Sequence, residues 1–137
     1  MPRNLDKALG DGGMPLLGQL GLAFREYGKG WAAATWKPTE SACNPVGGVH
    51  GGVFGTIHDA AMNFACNSAL ESGDRATTLD VSYSMLRAAE AGAELEVRGE
   101  VARLTRQVAY VESVIRDAAG EIVSKASGTF LLRRKDR

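Results

Sequence analysis

A chain of 137 residues is long enough for one domain with its own core and too short for two ordinary ones. With 45% hydrophobic and 23% charged residues it has the composition of an ordinary folded protein, which excludes a disordered or fibrous chain. Lysine plus arginine equal aspartate plus glutamate at 16 each, so no overall positive field draws a phosphate backbone and nucleic acid is not an expected partner.

The opening stretch through Gly13 carries Gly10, Gly12 and Gly13 among charges and reads as a poorly ordered lead-in. Met14 to Leu22 places Leu16, Leu17 and Leu20 at a spacing that suits a short amphipathic helix capping the domain. Gly30 to Trp36, bracketed by Gly28, Gly30 and Pro38, is predicted as a first strand. The glycines and proline of Ser41 to Gly52 exclude regular structure until about Val53.

From Val53 to Leu70 apolar residues fall on every side, so a helix there must be enclosed by the rest of the domain. Gly73, in the cluster that ends it, is suited to a left-handed cap. Thr77, Leu79, Val81, Tyr83 and Met85 then alternate with polar residues, a period of two that assigns this set to the core side of a strand. Ala88 to Gly92 reads as a turn, Glu94 to Leu104 and Val108 to Arg116 as strands, Asp117 to Gly120 as a hairpin turn, and Ile122 to Leu132 as the last strand. Arg133 to Arg137 is expected to be a solvated end, and no internal repeat is visible.

The expected architecture is α+β, with an antiparallel sheet of about five strands wrapped around one long buried helix and a short N-terminal helix beside them. No segment reads as a membrane span, because the most apolar one, Val49 to Leu70, contains His50, His58, Asp59, Asn63 and Asn67. Cys43 and Cys66 lack CxxC spacing and the first residues lack the apolar run of a secretory signal, which points to the cytoplasm and free thiols.

Asp59 is the sharpest chemical signal, the only Asp, Glu, Lys or Arg between Glu40 and Glu71. Burying a lone carboxylate costs several kcal/mol unless a partner or a proton compensates, and functional carboxylates cluster in such settings. The plainer alternative is an acid facing a solvent gap or held by structural hydrogen bonds. Directly ahead of the helix, Gly47-Gly-Val-His-Gly-Gly52 combines glycines that let backbone N–H groups approach a ligand with a helix N-terminus that favours negative charge. That is the outline of an oxyanion hole, although a glycine-rich loop before a helix is more often a tight turn.

The string from Asn44 through His50-Gly51-Gly52 to Asp59 resembles the signature of hotdog-fold thioesterases of the phenylacetate-degradation type. Thr77 to Tyr83 and Gly120 to Phe130 are similar to that family's second and last strands, so the likeness runs from roughly Gly30 to Leu132. The resemblance implies the hotdog fold and acyl-CoA hydrolysis without a cofactor. It implies Asp59 as general base or nucleophile, the Gly51 N–H as donor to the thioester carbonyl, and Asn44 as a group orienting water or carboxylate. It further implies His50 as support for loop and carbonyl, and a hydroxyl from Thr77 or Thr78, with Thr78 the better alignment. Gly52 and Thr77 would lie against the substrate.

Along one helix Gly51 and Asp59 lie eight residues, or about 12 Å, apart, so one thioester carbon cannot touch both in one subunit. The two must then come from different chains across a two-fold interface, as the resemblance also implies, giving a homodimer and a possible dimer of dimers. Arg103, Arg106 and the Arg133–Arg134 pair could meet the CoA phosphates or be solvated strand-end charges. His58 points about 100° away from Asp59 around the helix and is expected in the core or an interface. No metal-ligand spacing occurs and no zinc is expected, and Ser68 lacks a nucleophile elbow. A hotdog dehydratase or hydratase and a non-catalytic acyl-CoA sensor are the rival readings, and the acyl group, aromatic or medium-chain, stays open.

Overall fold

Helix formation over Gly51–Ser68 (α2) starts from a cap built by the sequence itself: His50 has extended backbone and its Nδ1 accepts the Gly52 N–H at 2.9 Å. The structure, a computed structural model, describes residues 1–136. Around α2 it places a five-residue helix, Pro15–Gln19 (α1), and six strands: Leu22–Gly28 (β1), Trp31–Trp36 (β2), Arg75–Met85 (β3), Leu95–Leu104 (β4), Val108–Arg116 (β5) and Ile122–Arg133 (β6). The strands form one antiparallel sheet in the order β1-β2-β4-β5-β6-β3. This is the expected α+β hotdog architecture, with six strands instead of about five.

The additional strand is Leu22–Gly28, whose first residue falls at the end of the expected N-terminal helix. Leu22 and Phe24 alternate inward, and α1 stops at Gln19 because Gly21 follows with positive φ. β4, β5 and β6 begin and end within a residue of the sequence expectation, and Gly120 takes positive φ in the hairpin turn before β6. Leu95 and Val97 of β4, Val111 and Ile115 of β5 and Phe130 of β6 meet Phe54, Ile57, Met62 and Ala65 of α2 in one core. Helix and sheet approach so closely at Gly99 that a side chain there would run into the Ala61 carbonyl.

Four further expectations change. Helix α2 is not enclosed on every side: Thr56, Asp59, Ala60, Asn63 and Asn67 form a half-buried stripe that lines a cavity. The helix ends at Ser68 with a right-handed cap, and Gly73 uses its positive φ in the turn that follows. The first 13 residues lie over α2 and β1: Pro2 bridges Glu71, Arg3 N donates to Leu70 O at 3.1 Å, and Gly10 pairs with Phe24. Within the last residues, Arg134 is tied to the buried Asp74 and to the carbonyls of Thr105 and Arg106, so that part of the tail is not a solvated end.

β3 also departs from simple alternation. Thr78 pairs with Phe130 and Asp80 with Thr129, leaving Leu79 as an extra residue, 55% exposed, in a β-bulge. The bulge shifts the frame by one. Ala76 and Thr78 before it and Val81 and Tyr83 after it are half-buried, whereas Thr77, Leu79 and Met85, expected inside, are exposed. Among the described residues β3 has a ladder on one side only, leaving the other edge of an eleven-residue strand open.

Candidate active site

Asp59 sits two turns into α2 on the half-buried stripe, and the inward-facing Thr78 of β3 donates its Oγ1–H to Asp59 Oδ1 at 2.8 Å. No second hydrogen-bond partner to this carboxylate is present among the described residues. The acid borders a cavity of about 510 Å³ lined by Thr56, Ala60, Asn63 and Asn67 of α2, by Phe24 and Phe64, and by Leu5, Met14 and Leu17 of the N-terminal segment. A carboxylate with one oriented oxygen, set at the wall of a largely apolar hollow, can take a proton or attack a carbonyl carbon. The bulge at Leu79 creates this pairing, since strict alternation would put Thr78 and Tyr83 on opposite faces of β3.

The glycine loop is built by its own side chains. Asn44 Oδ1 accepts the N–H groups of Val46 and Gly48 at 3.0 and 3.2 Å, and Asn44 and Gly48 also exchange a main-chain bond. His50 Nδ1 must be unprotonated to accept the Gly52 N–H, which puts its proton on Nε2. The Gly52 amide is therefore occupied by the cap. Gly51, at the first helical position, has an N–H without an intrahelical acceptor, at the positive end of the helix dipole. Tyr83 fixes the loop from below, its hydroxyl donating to the Gly51 carbonyl at 3.0 Å and its ring filling the space a side chain at Gly55 would need.

Asn44 lines a separate hollow of about 350 Å³ with Gly48, Phe54 and Met85, at the helix start. The structure thus joins Asp59 with Thr78, and joins Asn44, His50 and Gly51, but keeps the two groups at opposite ends of two turns of α2. Thr77 is exposed and turned away from Asp59, and Thr78 is the threonine whose hydroxyl reaches that carboxylate. Arg103, near the end of β4, and Arg106, in the turn after it, are exposed, and neither lines the cavity of Asp59. A further hollow of about 570 Å³ lies over the solvent face of the sheet among Arg25, Arg98, Arg116, Glu96, Glu100 and Glu112, away from Asp59.

His58 is fully buried, as its place around the helix implied. Ser124 Oγ donates to the Ser84 carbonyl, so it accepts from Nε2–H, and Nδ1 accepts the Ser113 hydroxyl. Burial pushes His58 down to about 4, and it likewise pushes the Cys66 thiol up to about 11, so neither is a ready base or nucleophile near neutral pH. Among the described residues no three His, Cys, Asp or Glu side chains gather as a metal site, and no helix is long and apolar enough to cross a membrane. Met14, Leu17 and Phe64 were candidates for an apolar tunnel from the sequence and do line this cavity, whereas the first residues, Arg3, Leu5 and Ala8, were missed as part of its wall. The only signal of that segment was Leu5, Ala8 and Leu9 set among charges.

Residues 46–124 match the family model described as Thioesterase superfamily. The chain is 30% identical to a phenylacetic acid degradation-related protein of Ralstonia eutropha, with 85% of this chain and 89% of that one covered and a TM-score of 0.78. A thioesterase of Haemophilus influenzae shares the fold with a TM-score of 0.86 at 21% identity, covering 98% of this chain and 93% of that one. A hypothetical thioesterase of Streptococcus pneumoniae, crystallised with coenzyme A, does so with a TM-score of 0.77 at 24% identity over 85% and 89%.

Proposed function

Because the chain belongs to the thioesterase superfamily, and is therefore a thioester hydrolase, we propose that it cleaves an acyl-CoA to the free acid and CoA with Asp59 as the catalytic carboxylate. The observation that carries this is the pairing of Asp59 with Thr78 at the wall of a largely apolar cavity. Water adds to the carbonyl carbon as Asp59 takes its proton, and the C–S bond then breaks to release CoA thiolate. A thiolate is a far weaker base than an alkoxide and leaves without much assistance. In the nucleophilic variant Asp59 itself attacks, and water resolves the mixed anhydride; single turnover in heavy-oxygen water labels the Asp59 carboxylate only by that route. Neither route needs a cofactor.

The oxyanion is assigned to the Gly51 N–H of a second protomer. Within one chain eight helical residues, about 12 Å, separate that amide from Asp59. Dimerisation is favoured by the open edge of β3 and by the exposed Leu79, Met85 and Leu86 on and just after it, since an open, apolar edge strand is otherwise prone to aggregate. A further pairing of dimers and a cytoplasmic location complete the reading. The coenzyme A complex of the S. pneumoniae protein supports acyl-CoA as substrate, and the R. eutropha relative supports an aromatic acyl group over a medium-chain one. A panel of acyl-CoA esters scored by thiol release tests it. Asp59→Asn is expected to cut kcat by at least about a hundredfold without loss of assembly, and near-normal turnover would rule the assignment out.

A further inference from the structure

Past Asp59 the half-buried stripe of α2 continues with Asn63 and Asn67, which line the same cavity. Asn67 Nδ2 donates to the carbonyl and Oδ1 of Asn63 at 2.9 and 3.0 Å, and Asn67 Oδ1 accepts Arg3 Nη1 at 2.6 Å. Arg3 reaches this place because main-chain contacts hold the N-terminal segment: the Pro2–Glu71 bridge, Arg3 N to Leu70 O, and Leu5 N to the Tyr27 hydroxyl at 2.9 Å. Arg3 is half-buried and lines the cavity, and among the described residues no carboxylate lies within ion-pair distance of its guanidinium.

An arginine has five N–H donors, and Asn67 uses one of them. The apolar part of the lining, Leu5, Ala8, Met14, Leu17, Phe24 and Phe64, offers no side-chain acceptor. An acyl tail ending in carbon would leave the remaining donors facing apolar matter, which costs free energy, whereas an oxygen there would be bound by a charge-assisted hydrogen bond. We propose that Arg3 is a specificity-determining residue that reads an oxygen acceptor at the far end of the acyl group, with Asn63 and Asn67 as its positioning partners. This rests on the acyl-CoA reading above. The helical rise puts Asn63 about 6 Å and Asn67 about 12 Å from Asp59, which sets the reach from reacting carbonyl to acceptor.

The test uses three esters of one chain length: hexanoyl-CoA, ω-hydroxyhexanoyl-CoA and adipoyl-CoA. The wild type should favour at least one oxygen-ended ester over hexanoyl-CoA by about tenfold or more in kcat/KM. The hydroxyl and carboxylate arms show whether the acceptor is neutral or anionic. Arg3→Met, which keeps the side-chain stem and every main-chain anchor, should bring that ratio close to one, and Arg3→Lys should restore part of it. A wild type that prefers the methyl end, or a ratio untouched by Arg3→Met, overturns the proposal. Calorimetric binding of the same esters to Asp59→Asn separates the two readings. No hydrolysis of any ester by the wild type, with a binding preference retained in Asp59→Asn, counts against the hydrolytic reading alone; equal affinities count against Arg3; no binding at all counts against both.

Discussion

Replacing Gly51 by proline removes one hydrogen atom that the mechanism needs and little else. The first position of a helix is where proline is best tolerated, because its missing N–H has no intrahelical acceptor to lose. The preceding residue must be extended, and His50 already is, at φ −64° and ψ 135°. The added Cβ would meet only Met85 Cε and Sδ, at 3.2 and 3.4 Å, the end of an exposed and flexible side chain. The fold should therefore survive with a stability change within about 1 kcal/mol. Loss of one oxyanion donor costs about 2.7–4 kcal/mol of transition-state stabilisation, a fall of about 100- to 1,000-fold in kcat. Gly51→Ala carries a Cβ at the same place but keeps the amide, and should stay within several-fold of the wild type. The assay is steady-state thiol release for both variants beside their melting temperatures. A folded Gly51→Pro enzyme with wild-type kcat, or an alanine variant as impaired as the proline one, would refute the oxyanion role.

Thr78→Val keeps the shape and strand preference of the side chain but removes the donor to Asp59, so kcat/KM should fall about 10- to 100-fold while Thr78→Ser stays close to wild type; equal losses in both would point to packing instead. Burial holds His58 near 4 in the folded state against about 6.5 in the unfolded chain, so the unfolded state binds the proton first as pH falls. The stabilisation is complete above pH 6.5 and is lost between there and about pH 4, to a limit of about 3 kcal/mol, a slope in urea midpoints that His58→Gln should flatten. Asp74, fully buried, accepts the Lys135 N–H at 2.9 Å and Arg134 Nη1 at 3.3 Å; Asp74→Asn should cost about 2 kcal/mol in chemical denaturation, less than a fully buried pair because Arg134 is partly exposed.

The elements that were legible in the sequence are those whose pattern is local. β4, β5 and β6 alternate cleanly between short turns, and α2 announces itself by its run of apolar residues after a glycine loop. Asp59 stood out for the same reason, as the one charge in a long uncharged stretch. What stayed hidden depends on tertiary contact. The bulge at Leu79 is a mismatch between β3 and β6, so Thr77 and Leu79 were assigned inward when the ladder turns Thr78 in and Leu79 out. The N-terminal segment is too polar to advertise its role, and it is ordered by main-chain bonds to Leu70 and Phe24, far along the chain. Asn44 lies in the loop as expected, whereas Gly52 already belongs to the first turn of α2, and their hydrogen bonds hold the loop and the cap together.

Mixing two inactive variants, Asp59→Asn and Gly51→Pro, after joint refolding tests the shared site most directly. Random pairing makes about half of the dimers mixed, and each mixed dimer holds one site with both an intact Asp59 and an intact Gly51 amide from its partner. Hydrolysis by a site shared between protomers returns to about a quarter of the wild-type rate. If both groups act within a single chain, every site in the mixture carries one defect and thiol release stays at the level of the separate variants.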